Sequence, residues 1–326
     1  MNRRLFRGVS VGEIGLGCWQ LGGDWGTVGE DDARAILRAA YASGTTFFDT
    51  ADVYGAGLSE RRIGAWLAEE RPDGVFIATK QGRFSPPGWP QNFTKAALRA
   101  HAEASRERLG VETLDLLQLH CIPTDVLRDG AVFDHLRALQ QDGIIARFGA
   151  SVESVEEALL CLAQPDLASL QIIFNLFRQK PIDTLFAAAK ETGTALIVRL
   201  PLASGLLSGK FTAATVFDAS DHRHYNRDGA AFNVGETFAG LPFETGVALA
   251  DGLKPLVPDG LSLAQTAQRW CLDFDAVTVL IPGATSPEQA RRNAAVSALA
   301  PLDAAVHARL RAFYEENVAA HIRGPY

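Results

Sequence analysis

Residues 45–60 read TTFFDTADVYGAGLSE. Thr45 to Phe48 are β-branched or aromatic, a composition that suits a short strand. Asp49 stands at the strand's end, a small polar turn follows, and Tyr54 comes after it. Gly55-Ala56-Gly57 then breaks the chain. Leu58-Ser59-Glu60 opens a helix whose Ile63, Trp66 and Leu67 share one face. A carboxylate at a strand end and a phenol on the next loop can meet over one site. Two more ionisable side chains hold comparable places: Lys80 after Val75 to Thr79, and His120 after Leu114 to Leu119.

Outward from this stretch, short apolar strands alternate with amphipathic helices. On the N-terminal side, Glu13 to Gly17 reads as a strand after a small hairpin around Val9 to Gly12. Cys18 to Gly26 is too glycine-rich for a helix. A helix from Asp31 places Ala33, Ile36, Leu37, Ala40 and Tyr41 at helical spacing and ends at Gly44, a left-handed cap position. On the C-terminal side, a loop with Pro86, Pro87, Gly88 and Pro90 precedes a helix capped by Thr94 and closed by Gly110. Strands follow at Leu114–Leu119, Ile145–Gly149, Leu170–Phe174, Ala195–Leu200 and Val277–Ile281. Helices fall near 132–141, 154–162, 183–192 and 287–298. Counted from Ile14, this makes eight strand–helix alternations. The pattern predicts a parallel sheet covered by helices. In this length it favours a closed (β/α)8 TIM barrel, one domain over 1–326, above an open doubly wound sheet. Residues 211–236, rich in His, Arg, Asp and Asn, interrupt the seventh unit; of two readings, a cover over the site and a polar surface loop partly tied down by its own charges, the second is favoured. Asp303 to Ala320 reads as an extra C-terminal helix.

The bulk composition narrows the partners. Of 326 residues, 47% are hydrophobic and 21% charged, as in a globular protein, and the net charge is −7. That charge argues against nucleic acid, whose phosphates need clustered Lys and Arg. No apolar run is long enough to span a membrane, and the N-terminus has no apolar signal core. The four cysteines, Cys18, Cys121, Cys161 and Cys271, form no zinc pattern. Reduced, buried thiols in a cytoplasmic protein are expected.

Asp49, Lys80 and His120 at strand ends, with Tyr54 on the second loop, form a general-acid arrangement suited to carbonyl reduction. A phenol with a pKa of about 10 is an available acid at neutral pH, and an adjacent ammonium lowers that value. Asp49 holds the ammonium, and His120 orients the carbonyl oxygen. Here the chain resembles the aldo-keto reductases, whose tetrad is Asp-Tyr-Lys-His in this order. The resemblance runs through Gly15-Leu16-Gly17-Cys18-Trp19, FDTADVYG (48–55), IATK (77–80) and LLQLH (116–120). It continues through Gly149-Ala150-Ser151, Gln171, and Pro201-Leu202-Ala203-Ser204-Gly205-Leu206-Leu207-Ser208-Gly209-Lys210. It ends at Ile281-Pro282-Gly283-Ala284-Thr285-Ser286-Pro287-Glu288-Gln289 with Arg292 and Asn293.

The resemblance implies an NADP(H)-dependent enzyme, with NAD(H) also accepted, that acts on a small carbonyl or alcohol substrate, sugar-like ones included. It implies Trp19, Ser151, Gln171 and Arg199 around the nicotinamide, Pro201 to Lys210 along the pyrophosphate, and Gly283 to Asn293 at the adenosine. In many relatives an aromatic stands at the place of Arg199, and NADPH-specific ones carry a cation near Gly283, Ala284 or Gln289. Small side chains at Ser204 to Leu206 leave backbone amides free for phosphate, and a helix starting near Thr285 favours an anion. Trp19, Trp25, Phe84 and Trp89 lie in loops above the strands, where rings line an apolar pocket with Tyr54 and His120. No G-x-G-x-x-G follows a strand, which excludes a Rossmann reading. Two rivals remain: a barrel that binds the cofactor without turnover, and a metal-dependent hydrolase using His120, Asp49 and His222 or His224. Spacing supports no metal.

Overall fold

The computed structural model describes residues 1–23, 25–26, 28–85 and 87–326. Pro86, read from the sequence as part of a loop, lies outside them. An antiparallel hairpin comes first, β1 (Arg3–Phe6) and β2 (Val9–Gly12). Strand and helix then alternate. β3 (Leu16–Gly17) leads to α1 (Glu30–Ala42), β4 (Phe47–Asp49) to α2 (Leu58–Glu70), and β5 (Phe76–Gln81) to α3 (Lys95–Leu109). β6 (Leu116–His120) is followed by α4 (Thr124–Asp129) and α5 (Ala131–Gln141), β7 (Phe148–Ser151) by α6 (Val155–Leu162), and β8 (Ser169–Ile173) by α7 (Leu185–Thr192). β9 (Ala195–Arg199) leads to α8 (His222–Tyr225), α9 (Phe243–Leu253) and α10 (Leu263–Leu272). β10 (Val277–Leu280) leads to α11 (Pro287–Ala295) and α12 (Ala304–Phe313).

β3 to β10 form an eight-stranded parallel sheet in sequential order. The ring closes where β3 meets β10. The Gly15 amide donates to the Leu280 carbonyl at 2.8 Å, and the Leu280 amide donates to Glu13 at 2.9 Å. This is the (β/α)8 barrel that the alternation predicts, with α12 as the extra C-terminal helix.

Side chains alternate across each strand, so every strand serves two cores. On β4, Phe48 faces outward onto Trp66 of α2, ring centroids 5.0 Å apart. Phe47 faces inward and stacks on Phe76 at 5.2 Å, and Phe6 of the hairpin packs on both. Phe47, Phe76, Ala78, Leu116, Ile197 and Val279 fill the barrel interior. Each of these apart from Ala78 is worth about 1.5–3 kcal/mol buried. The same two-residue period carries polar groups inward one layer higher: Asp49 above Phe47, Lys80 above Ala78, Gln118 and His120 above Leu116, Arg199 above Ile197. The apolar layers therefore fix the strands that carry the polar one.

Three sequence expectations change. β7 starts at Phe148, later than the run from Ile145 implies. Ile144 and Ile145 are buried in the turn before it, where Ile145 makes only an isolated bridge to Leu114. α4, α9 and α10 are additional. α4 is six residues long, too short for helical periodicity to register.

The third change concerns 211–236. Within it Arg223 pairs with Asp221 as expected, but Arg227 and Asp228 pair outside it, with Glu244 and Arg323. However, Asp221, His222, Asn226 and Glu236 are buried, so it is not a surface loop throughout. The Asn226 side-chain oxygen accepts the amides of Ala231 and Phe232, each at 2.9 Å, and folds the segment back on itself. Phe211 and Phe217, packed at 5.3 Å, give it an apolar underside.

Candidate active site at the barrel mouth

Lys80 is the hub of the polar layer. Its Nζ donates to Asp49 Oδ1 at 2.5 Å, to the Thr50 carbonyl at 2.8 Å and to the Tyr54 hydroxyl at 3.2 Å. Lys80 is 1% and Asp49 3% exposed, so water does not screen the pair. Asp49 Oδ2 accepts from Gln171 Nε2 at 2.7 Å and Gln118 Nε2 at 3.3 Å. The sequence reading missed Gln118; its position two residues before His120 puts it on the same inward face.

Local packing sets Tyr54. The Thr50 hydroxyl donates to Ser59, whose hydroxyl donates to the Cys18 carbonyl, both at 2.8 Å. Gly55 has φ 58°, and a Cβ there would lie 2.2 Å from the Gly22 carbonyl oxygen. Only glycine permits that approach, which joins the Tyr54 loop to the loop carrying Trp19. The Trp19 ring stacks on Tyr54 at 5.8 Å, and His120 meets Tyr54 edge-on at 5.7 Å.

Burial pushes the Tyr54 phenol up to about 12, with Lys80 pulling against it. The sequence led to a lowered value; burial outweighs the ammonium. Burial draws Lys80 down, but Asp49 and Tyr54 outweigh it and its pKa rises. Burial, with Arg83, Lys80 and Arg199 nearby, holds His120 well below the usual histidine range, so its imidazole is neutral.

Asp52 lies in the same turn, wholly buried, and neither of its carboxyl oxygens has a hydrogen-bond partner among the described residues. Burial and the neighbouring Glu60 push it up to about 8. An unfolded aspartate ionises near 3.9. The folded state therefore holds the extra proton between these values, and stability falls as pH rises from about 4 to about 8. Asp52→Asn is expected to remove that loss, stabilising the protein by about 5 kcal/mol at pH 8, one pKa unit being worth about 1.4 kcal/mol, and by much less toward pH 4. Thermal melts across this range check it; a gap independent of pH contradicts it.

Tyr54 and His120 open on two adjoining hollows of about 610 and 700 Å³, and Trp19 and Glu236 also line both. The larger number of the expected site residues line the first. Trp25, Ser151, Gln171 and Arg199 stand at its barrel end, and Pro201, Leu202, Ser204, Gly205 and Lys210 along its side. Gly283, Thr285, Gln289, Arg292 and Asn293 stand at its far end. There Gln289 Oε1 accepts the Thr285 amide at 2.8 Å, and Asn293 donates to the Gly283 carbonyl at 3.1 Å.

Two expected residues do not bring their side chains into the hollows. Leu206 is 1% exposed and packs toward Gly246 of α9, because left-handed backbone at Ser204 and Gly205 turns it into the core. Phe84 lines neither hollow; its ring meets His101 edge-on at 5.9 Å. Trp89 lines the second hollow and donates to the Gly82 carbonyl.

Several lining residues had no sequence signal. Gln20, Gln265 and Gln268 enter the first hollow from distant elements, and Phe211 and Arg223 enter from the inserted segment. A charged group borders both hollows. Arg83 reaches Glu153 at 3.0 Å and Glu236 at 3.5 Å; Arg199 lies 3.8 Å from Glu236, 3.0 Å from the Val152 carbonyl and 3.5 Å from Cys121 Sγ. Cys121, Glu153 and Glu236 place ligand atoms within 4.8 Å of one another. The two guanidinium groups already face those atoms, so the group reads as an ion-pair network.

A model of the aldo/keto reductase family matches residues 13–315. The chain belongs to the aldo/keto reductase family. It is an oxidoreductase of that family, working with a nicotinamide cofactor. It is 32% identical over 295 residues to an uncharacterized oxidoreductase of Mycobacterium tuberculosis, Rv2298, covering 88% of this chain and 84% of the relative. Among solved structures it resembles aldo-keto reductase AKR11C1 from Bacillus halodurans in its holo form, with TM-score 0.77, 25% identity and coverage of 99% and 98%. It also resembles the glycerol dehydrogenase AKR11B4 from Gluconobacter oxydans, with TM-score 0.76, 27% identity and coverage of 99% and 97%. Among the described residues no helix is long and apolar enough to cross a membrane.

Proposed function

We propose that the protein reduces a small aldehyde or ketone, or oxidises the corresponding alcohol, with NADP(H) in the first hollow and Tyr54 as proton donor or acceptor. The observation that carries this is the hydrogen-bonded chain from Asp49 through Lys80 to Tyr54, which ends beside His120 in the hollow's wall. An intact chain of this kind favours turnover over cofactor binding alone. The glycerol dehydrogenase relative supports hydroxylated substrates among the candidates. Four buried, unbridged thiols support a cytoplasmic setting.

The first hollow suits a dinucleotide. Gln20 Oε1 and Gln268 Oε1 are buried acceptors with no partner among the described residues, and both residues line it. Gln171 spends its amide nitrogen on Asp49, which leaves its oxygen to accept from a carboxamide. Ser151 stands beside it. When bound, the nicotinamide supplies or takes the hydride. Tyr54, protonated far above neutral pH, gives its proton to the carbonyl oxygen. Neutral His120 donates to the same oxygen and orients it. Lys80 stabilises the phenolate left behind, and Asp49 holds Lys80 in place.

At the far end, Arg292 lines the hollow, is exposed, and shares Glu288 with Arg291, each at 3.8 Å. It is the cation available for a 2′-phosphate. Arg292→Ala is expected to lower kcat/KM for NADPH by about 10- to 100-fold, the worth of one charged hydrogen bond. The NADH value is expected to stay close to wild type. Equal losses with both cofactors contradict this.

The function itself is tested by following reduced-nicotinamide absorbance with aldehydes, ketones, sugars and polyols in both directions. At least one class is expected to turn over. Tight cofactor binding with no turnover of any class overturns the proposal.

A further inference from the structure

Glu236 comes from the segment inserted after β9, and it is 6% exposed at the meeting of the two hollows. Burial pushes its carboxyl up, but Arg199 and Arg83 outweigh that and hold it below the usual range, so it is negatively charged. Arg199 is 9% exposed, lines the first hollow with Tyr54, Ser151 and Gln171, and has an Nε without a partner among the described residues. Its nearest carboxylate is Glu236, at 3.8 Å. Arg83, by contrast, has Glu153 closer, at 3.0 Å. The second core charge, Lys80, is matched by Asp49 at 2.5 Å. Without Glu236, the Arg199 end of the hollow carries one uncompensated positive charge.

Nicotinamide is cationic when oxidised and neutral when reduced. A buried guanidinium beside it repels only the oxidised form. We propose that Glu236, acting through Arg199, is the counter-charge that lets this hollow hold oxidised nicotinamide, and so sets the ratio of affinities for the oxidised and reduced cofactor. The inference rests on the reading above that the nicotinamide lies at the Arg199 end. It gives the inserted segment a task beyond lining the two hollows: it delivers a charge that the strands themselves do not supply. Catalysis in the oxidative direction then depends on a loop residue remote in sequence from the tetrad.

The test uses equilibrium binding and needs no substrate. Dissociation constants for NADP+ and NADPH are measured by tryptophan fluorescence quenching in wild type, Glu236→Gln, Arg199→Gln and the double variant. Unit charges a few ångströms apart near a protein surface interact strongly enough that Glu236→Gln is expected to weaken NADP+ relative to NADPH by about tenfold. Arg199→Gln leaves Arg83 alone between Glu153 and Glu236, one net negative charge at that end, and is expected to shift the ratio by about tenfold in the opposite direction. The double variant is expected to return the ratio to within about threefold of wild type, since it removes both charges. Shifts of the same sign, or no shift in either single variant, overturn the proposal. If one single variant fails to fold, the sign of the other decides. A wild-type protein that binds neither cofactor form overturns the reading of the hollow itself, a result distinct from an unchanged ratio.

Discussion

Tyr54→Phe is expected to fold normally, bind cofactor with wild-type affinity and lose about 100- to 10,000-fold in carbonyl reduction, the usual worth of a general acid. The substitution removes one oxygen. The ring contacts with Trp19 and His120 stay, and the hydroxyl's recorded contact is Lys80 Nζ at 3.2 Å. Lys80 keeps Asp49 and the Thr50 carbonyl, so the buried charge remains matched. The loss should appear in kcat and in kcat/KM alike, because the proton is given in the transition state rather than on binding. Steady-state rates with cofactor dissociation constants measured alongside check this. Turnover near the wild-type rate would remove Tyr54 from the reaction.

Lys80→Met is expected to act on both stability and rate. Asp49 is left as a buried carboxylate without its cation, and breaking such a pair costs about 3–5 kcal/mol. Adding Asp49→Asn should recover much of that, because the uncompensated charge is then gone. The rate effect has its own sign. Tyr54 loses its protonated form only near pH 12, so reduction should be nearly flat through neutral and mildly alkaline pH. Alcohol oxidation needs the phenolate and should rise by about tenfold per pH unit over the same range. Lys80 is the group that pulls the phenol down. Without it the pKa rises further, and oxidation at a fixed alkaline pH should fall by about 10- to 100-fold, with the rising limb moved to higher pH. Profiles of the two proteins that overlay would give the lysine a purely structural role. Comparing the double variant separates the charge effect from loss of fold.

The barrel was legible because its two periods are clean. Helices such as α1 repeat Ala33, Ile36, Leu37 and Ala40, and strands are short and bounded by glycine or polar turns. The grouping of Asp49, Tyr54, Lys80 and His120 was legible for a related reason. Asp49, Lys80 and His120 end apolar runs, and a strand that fills the barrel at Phe47 must turn Asp49 inward as well. Gln118 obeys the same parity and could have been found by it. Glu236 and Arg223 could not, because the inserted segment shows no helix or strand period to say which side chains turn inward. What buries it is a single asparagine, Asn226, collecting backbone amides, together with aromatic residues scattered too widely to show a period. Leu206 turns its side chain into the core for a backbone reason, the left-handed residues Ala203, Ser204 and Gly205 before it; the sequence expectation concerned its backbone amide. The pKa of Tyr54 went the other way from the sequence expectation because the sequence shows the ammonium but not the depth of burial.

The central claim is that hydride and proton meet over Tyr54 in this cleft. The most direct measurement mixes the purified protein with NADPH carrying deuterium at both C4 positions and a panel of aldehydes and ketones, and analyses the alcohols by mass spectrometry. Deuterium on the carbinol carbon of at least one product, lost together with turnover in Tyr54→Phe, is the predicted result. Alcohol formed without the label, or labelled alcohol formed equally well by Tyr54→Phe, would contradict it.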